Sequence, residues 1–310
     1  MILIYPYTLH RQCRSKSVPA ETKVIMDLIA QFTGVTIPTP LSTMSAEDAK
    51  VEAEERNLSY VTLLCDDSYF NGVCVLLKTL KDHRKRNIPI TVLADSKGVS
   101  KATIKRLESM SCEVIAVDTL LSPSAPEQAG QAAKEEDAAG CWAASEMTKL
   151  RIWSLVQFER IVYIDADCFL LENCDDLFES TKGCDFAAAP DVFPPDRFNA
   201  GVMVVRPSLE VFEDLCEKLL TLHSYDGGDT GFLNAYFPSW YSGPAESRLS
   251  FGYNMQRILY WFTYEKRPGY WNSIFPKKIV HFSSSPKPWE QTIVNVKGDL
   301  EMMWWTTLMK

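Results

Sequence analysis

From Ser59 onward the chain switches repeatedly between two hydrophobic periods. Tyr60 to Cys65 is a short β-branched and apolar run, and Val73, Leu76, Leu77 and Leu80 then recur at i, i+3, i+4 and i+7. The first pattern predicts a strand and the second a helix that Asp67 or Ser68 can cap. Ile88 to Ala94 predicts a strand, Val99 to Met110 a helix and Glu113 to Val117 a strand. Units in this alternation build a largely parallel sheet with helices on both faces, and ligands bind at the carboxyl ends of its strands. Asp66, Tyr69 and Asp165 fall at that edge. No Gly-x-Gly-x-x-Gly follows the first strand, which argues against a dinucleotide cofactor.

The alternation breaks over Ser122 to Met147, rich in Ala, Gln and Glu, which reads as a surface insertion in preference to a mobile cover. Lys149 is expected to open the next helix, packed through Leu150, Trp153 and Leu155. Arg160-Ile-Val-Tyr-Ile-Asp-Ala-Asp167 reads as an apolar strand ending in two acids, and Lys278 to His281 as a further strand. Residues 1–57 form a separate lead, with a basic patch at Arg11, Arg14 and Lys16, a helix over Glu21 to Phe32 and a charged linker over Ser45 to Arg56. The expected division is therefore residues 1–57, a main domain over 58–292 and a tail over 293–310.

A chain of 310 residues, 46% hydrophobic, can bury a substantial core, and its formal charge of −8 gives no broad basic face for nucleic acid or an anionic membrane. Nine cysteines with no Cys-x-x-Cys pair, several in apolar runs (Cys65, Cys74, Cys216), point to reduced thiols. With no signal-like start or apolar run of membrane-spanning length, the cytoplasm is the expected location, or the Golgi if an anchor precedes this chain.

Candidate chemistry begins at Asp165 and Asp167. Carboxylates two residues apart on an extended chain point the same way, and hard oxygen donors suit Mg²⁺ or Mn²⁺. Alone, the pair is no more specific than the polar end of a buried strand. His281 ends an apolar run, and Lys287 lies between Pro286 and Pro288. Asp226 and Asp229 flank two glycines ahead of Phe232-Leu233, where acids serve equally as helix caps or as groups facing a ligand.

Together with Thr148-Lys-Leu-Arg-Ile-Trp153, Phe198-Asn-Ala-Gly-Val-Met-Val204, Asp226-Gly-Gly-Asp-Thr-Gly231 and His281-Phe-Ser-Ser-Ser-Pro-Lys-Pro-Trp289, these motifs resemble glycosyltransferase family 8, and within it the glycogenin branch. The likeness runs from about Tyr60 to about Trp289, in the family's order. It implies a GT-A type fold and a retaining transfer of a hexose, glucose foremost, from a UDP-sugar. It implies Mn²⁺, with Mg²⁺ as the alternative, held by Asp165, Asp167 and His281; an imidazole beside two carboxylates favours Mn²⁺. Uridine would meet Leu63, Cys65, Asp66 and Tyr69, whose ring suits stacking on uracil. Lys149, Asp165, Ala166 and Ser284 would also contact the donor, with Lys287 on the β-phosphate. Asn199, Ala200, Asp226 and Thr230 would contact the sugar, and Asp229 would face its anomeric carbon.

Two departures stand out: Ser284 where glycogenins carry glycine, and Thr230 where they carry glutamine. Glycogenins glucosylate their own tyrosine, and the matching position counted from Tyr253-Asn254 is Trp261, so Tyr260 is the candidate acceptor, one residue off. An external polyol, polysaccharide or lipid acceptor is the alternative, with UDP-galactose or UDP-glucuronate as alternative donors, and a homodimer is left open. A haloacid-dehalogenase phosphatase also begins with Asp-x-Asp, but it calls for Thr or Val where this chain has Phe169, and it leaves His281 to Trp289 unexplained. A non-catalytic homologue that only binds nucleotide sugar is disfavoured, because every expected acid is present.

Overall fold

The computed structural model describes residues 55, 57–121, 145–264, 268–293 and 298–310. The basic patch and helix of the N-terminal lead, nearly all of the charged linker and most of the insertion lie outside the described residues. The strands, in chain order, are β1 (Leu58–Leu64), β2 (Ile90–Asp95), β3 (Glu113–Val117), β4 (Arg160–Ile164), β5 (Cys168–Leu170), β6 (Phe186–Pro190), β7 (Phe198–Val205), β8 (Met255–Gln256) and β9 (Ile279–His281). The α-helices are α1 (Phe70–His83), α2 (Lys101–Glu108), α3 (Leu177–Ser180), α4 (Leu209–Lys218), α5 (Asp229–Tyr236), α6 (Arg257–Thr263), α7 (Pro268–Asn272) and α8 (Asp299–Met309).

Six strands form one mixed sheet in the order β3-β2-β1-β4-β7-β6. β1, β2, β3 and β4 run parallel, while β7 and β6 join antiparallel. Covered on both faces, β1 is buried at all 7 positions and reads as a continuous apolar run. Its side chains still alternate: Tyr60 and Leu64 enter the core beneath α1, whereas Val61 and Leu63 enter the core beneath α4. Val73, Leu76, Leu77 and Leu80 of α1 are all buried, as their spacing requires. The mixed sheet with helices on both faces is the arrangement expected of a GT-A type fold.

Several local expectations shift. Asp66, rather than Asp67 or Ser68, is the capping acid here: it accepts the Ser68 N–H at 2.7 Å and starts a 3-10 turn that leads into α1. Asp67 instead accepts the Ser100 N–H ahead of α2 at 3.0 Å. The element around Lys149 is a 3-10 helix over Glu146–Ser154, starting three residues earlier than expected. Leu150 and Trp153 are buried in it, and Leu155 just beyond. The seven cysteines among the described residues are free thiols; Cys74 is buried, whereas Cys65 and Cys216 are half-buried.

The two acids do not lie on one extended strand. β4 stops at Ile164, and Asp165 to Asp167 form a turn into β5, which belongs to a second, three-stranded sheet in the order β5-β9-β8. The motif is thus the crossing point between two sheets. The final segment folds as α8, whose Trp304 is fully buried and whose last-turn carbonyls, those of Thr307 and Leu308, accept from Lys78 of α1 at 3.3 and 3.1 Å.

Candidate active site

The crossing turn is held from both sides. Asp165 donates its N–H to Gly201 of β7 at 2.8 Å, and its own carbonyl closes the turn by accepting the Cys168 N–H at 3.0 Å. On the second sheet Cys168 pairs with His281, and the Phe282 N–H donates to the Asp167 carbonyl at 2.9 Å. That antiparallel register brings an imidazole from far along the sequence beside the acids. His281 Nε2 lies 3.2 Å from Asp167 Oδ1 and 3.9 Å from Asp165 Oδ2.

Two ammoniums complete the cluster. Lys149 is buried, with its Nζ 3.0 Å from Asp165 Oδ1, in an ion pair with Asp229, and donating to the Ala200 carbonyl at 3.2 Å. Burial pulls the Lys149 pKa down, but the carboxylates of Asp165 and Asp229 outweigh it and hold the ammonium above its ordinary value. Lys287 Nζ donates to Asp167 Oδ2 at 2.5 Å and to the Phe282 carbonyl at 2.8 Å. Burial acts to raise Asp167, yet Lys287 and His281 hold it well below the usual carboxylate range. Asp165 goes the other way, raised by burial against the pull of Lys149. It also accepts the Tyr163 hydroxyl at 2.7 Å.

These groups line a cavity of about 350 Å³ with Leu63, Cys65, Tyr69, Ala166, Asn199, Asp226, Thr230 and others. Tyr69 contributes a ring held edge-on against Trp289, with centroids 4.9 Å apart. The two acids of the Gly-Gly motif separate in role. Asp226 is exposed and its Oδ1 accepts the N–H groups of Gly228 and Gly231 at 2.9 and 3.0 Å, capping the start of α5. Asp229 is buried and turned toward Lys149. Thr230 Oγ1 accepts the Ala200 N–H at 3.1 Å, tying α5 to β7.

Some expected contacts fall elsewhere. Asp66 is spent on its turn, Ala200 presents backbone to Lys149, and Ser284 is bonded to Arg257 at 3.0 Å while Ser283 lines the cavity. Tyr260 is buried, stacked on Tyr264 at 4.4 Å, and lines a different cavity. Glu146, Tyr163, Ser283 and Asn254 escaped the sequence reading. Of these only Tyr163 was open to it, since it lies two residues before Asp165 on an alternating strand. Glu146 closes the insertion and is pushed up to about 7 by burial and the neighbouring Asp229.

The donor set fits a divalent cation on two counts. Five carboxylates (Glu146, Asp165, Asp167, Asp226, Asp229) face two ammoniums in this cavity, so an anionic ligand requires an added positive charge. The second count is a tautomer. The Gly201 N–H donates to Asn199 Oδ1 at 3.0 Å, which also accepts Asn254 Nδ2 at 2.9 Å, leaving Asn254 Oδ1 to accept from His281 Nδ1 at 2.8 Å. In the neutral ring the lone pair of Nε2 then faces the carboxylates, the orientation of a metal ligand. A side chain at Gly201 would collide with that ring. Cys168 also brings a ligand atom within 4.8 Å of those of Asp167 and His281. However, it sits in the apolar core with its thiol pushed well up by burial, which disfavours it as a ligand of a hard cation.

Comparison with known proteins gives the family and the fold class. The family described as Glycosyl transferase family 8 matches residues 60–293, and the chain belongs to it. Glycogenin-1 of Mus musculus is 37% identical over 76% of this chain and 66% of its own length. Inositol phosphorylceramide glucuronosyltransferase 1 of Arabidopsis thaliana is 30% identical over 82% of this chain and 44% of its own length. The chain thus spans less than two thirds of the length of these relatives. Among solved structures, the glycosyltransferase GlyE of Streptococcus pneumoniae superposes with a TM-score of 0.57 at 21% identity, covering 81% of this chain and 60% of that one. The galactosyltransferase LgtC, solved with donor and acceptor sugar analogues, gives 0.54 at 16% identity, covering 81% and 95%. Among the described residues no helix is long and apolar enough to cross a membrane.

Proposed function

We propose that the chain is a metal-dependent, retaining hexosyltransferase acting on a UDP-sugar, with UDP-glucose as the first donor to test. The observation that carries this is the grouping of Asp165, Asp167, His281 and Lys287 in one cavity with Asn199, Asp229 and Thr230. The first group suits a diphosphate and the second a sugar, while Leu63, Cys65 and Tyr69 suit a uracil. A divalent cation held by Asp165, Asp167 and His281, Mn²⁺ ahead of Mg²⁺, would neutralise the diphosphate as a Lewis acid.

The remaining work belongs to the chain's own side chains. Lys287 offers an ammonium to the β-phosphate as the sugar bond breaks. Lys149 pairs with Asp229, so that its carboxylate is held where positive charge develops on the anomeric carbon. Asn199 and Thr230, at the junction of β7 and α5, orient sugar hydroxyls. Asp226 supports them by fixing the start of α5.

For the acceptor, the packing of Tyr260 away from the donor cavity favours an external molecule over transfer within one chain. A tyrosine of a second copy is the remaining route to self-modification. The test is UDP release from UDP-glucose, UDP-galactose and UDP-glucuronate with Mn²⁺ and with EDTA, followed by intact mass of the protein. Release from one donor that stops with EDTA, without added hexose mass, is expected. Absence of release from all three would overturn the proposal.

A further inference from the structure

A second cavity, of about 700 Å³, is lined by Pro286, the residue before Lys287 of the donor cavity. Its wall from α6 and the residue that follows carries three aromatic rings, Tyr260, Trp261 and Tyr264, and its other wall is the start of α8, with Asp299 and Glu301. Glu301 is withdrawn from solvent, at 1% exposure. Its Oε1 pairs with Arg257 at 3.2 Å, but its Oε2 has no hydrogen-bond partner among the described residues. A buried carboxylate oxygen without a donor is costly, so this atom calls for a donor from a bound molecule. Gly298, at φ +104, stands beside this oxygen, where a Cβ would come within 3.4 Å of Oε2 and of the Tyr260 ring.

The chemistry of the walls narrows the ligand. Asp299 repels a phosphate or an acidic peptide, and among the described residues no Lys or Arg lines the cavity to offset it. An ammonium would find Glu301 already neutralised by Arg257. A hydroxyl is the matched donor, and three aromatic side chains suit a molecule that also has apolar C–H faces. A pyranose has both. Tyr260 is then part of the wall and not the group that accepts sugar.

We infer that this cavity is an acceptor subsite for a neutral oligosaccharide, one sugar ring lying against Tyr264 and Trp261 and donating a hydroxyl to Glu301 Oε2. This deepens the transferase reading and rests on it. The test uses the full chain without donor or metal, titrated with malto-, cello-, galacto- and xylo-oligosaccharides and read by saturation-transfer NMR and tryptophan fluorescence. At least one series is expected to bind saturably, without displacement by UDP. Tyr264→Ala and Glu301→Gln should each weaken that binding about fivefold or more, the scale of one lost aromatic or hydrogen-bond contact. If Glu301→Gln does not fold, Tyr264→Ala alone decides. No binding by any series, competition by UDP, or unchanged affinity in Tyr264→Ala would overturn the inference. A parallel titration with UDP-glucose and Mn²⁺ separates the two claims: donor binding without saccharide binding removes only this subsite, whereas loss of donor binding removes the transferase reading itself.

Discussion

Arg257 and Glu301 form an ion pair at 3.2 Å with side chains 0% and 1% exposed, and the same guanidinium donates to the carbonyls of Ser284 and Pro286. The pair therefore ties α8 to the loop that presents Lys287. Trp261 covers the guanidinium from one side, 4.1 Å from its ring centre.

Breaking that pair strands a buried charge. Arg257→Met is expected to destabilise the protein by about 3–5 kcal/mol, read as a lower urea midpoint. The double variant Arg257→Met with Glu301→Leu should regain much of the stability, because no unpaired charge remains. Its activity should stay low, since the Ser284 and Pro286 carbonyls still lack their donor. Full recovery of both would show that the pair does not position the loop.

Removing a carboxylate from the crossing turn tests the metal assignment. Asp167→Asn should lower turnover by about 10²-fold or more, the scale of a lost electrostatic contact to developing charge. Isothermal titration should show weakened Mn²⁺ binding in the same variant and in His281→Ala. Unchanged Mn²⁺ affinity in both would move the site elsewhere.

Asp226 and Asp229 are predicted to differ in kind. On the proposed role of Asp229 at the reacting carbon, Asp229→Asn should lower kcat, while Asp226→Asn should raise the donor KM with the smaller effect on kcat. Asparagine caps nearly as well as aspartate, so Asp226→Ala should cost a further ~1 kcal/mol of stability. Near-normal kinetics in both Asn variants would reduce the two acids to caps.

Glu146 gives a pH signature in the metal-free protein. Its carboxyl is pushed up to about 7, so the folded state binds a proton that the unfolded chain has released above about 4.5. The stabilising contribution is present at low pH and is lost as pH rises through 7. The urea midpoint in EDTA is expected to fall from pH 5 to 8, and Glu146→Gln to flatten that slope. A slope unchanged by the substitution would assign it to another group.

The sequence alone determined the elements whose evidence is local. Repetition at i, i+3, i+4 and i+7 marked α1, the short run Val-Ile-Ala-Val after Glu113 marked β3, and the ordered motifs marked the acids, His281 and Lys287. Such signals are written in neighbouring residues, because burial of one face imposes a short period on the chain. Only the tertiary structure decided how the site is assembled. The Asp-x-Asp turn joins two sheets, and the Cys168–His281 register brings the imidazole to the acids. Asn254 orients that imidazole, Glu146 enters the cavity from the end of an apparent insertion, and α8 reaches the Lys287 loop through Glu301 and Arg257. Each of these depends on partners far apart in the chain, whose pairing follows from sheet register and helix packing and leaves no period in the sequence to read.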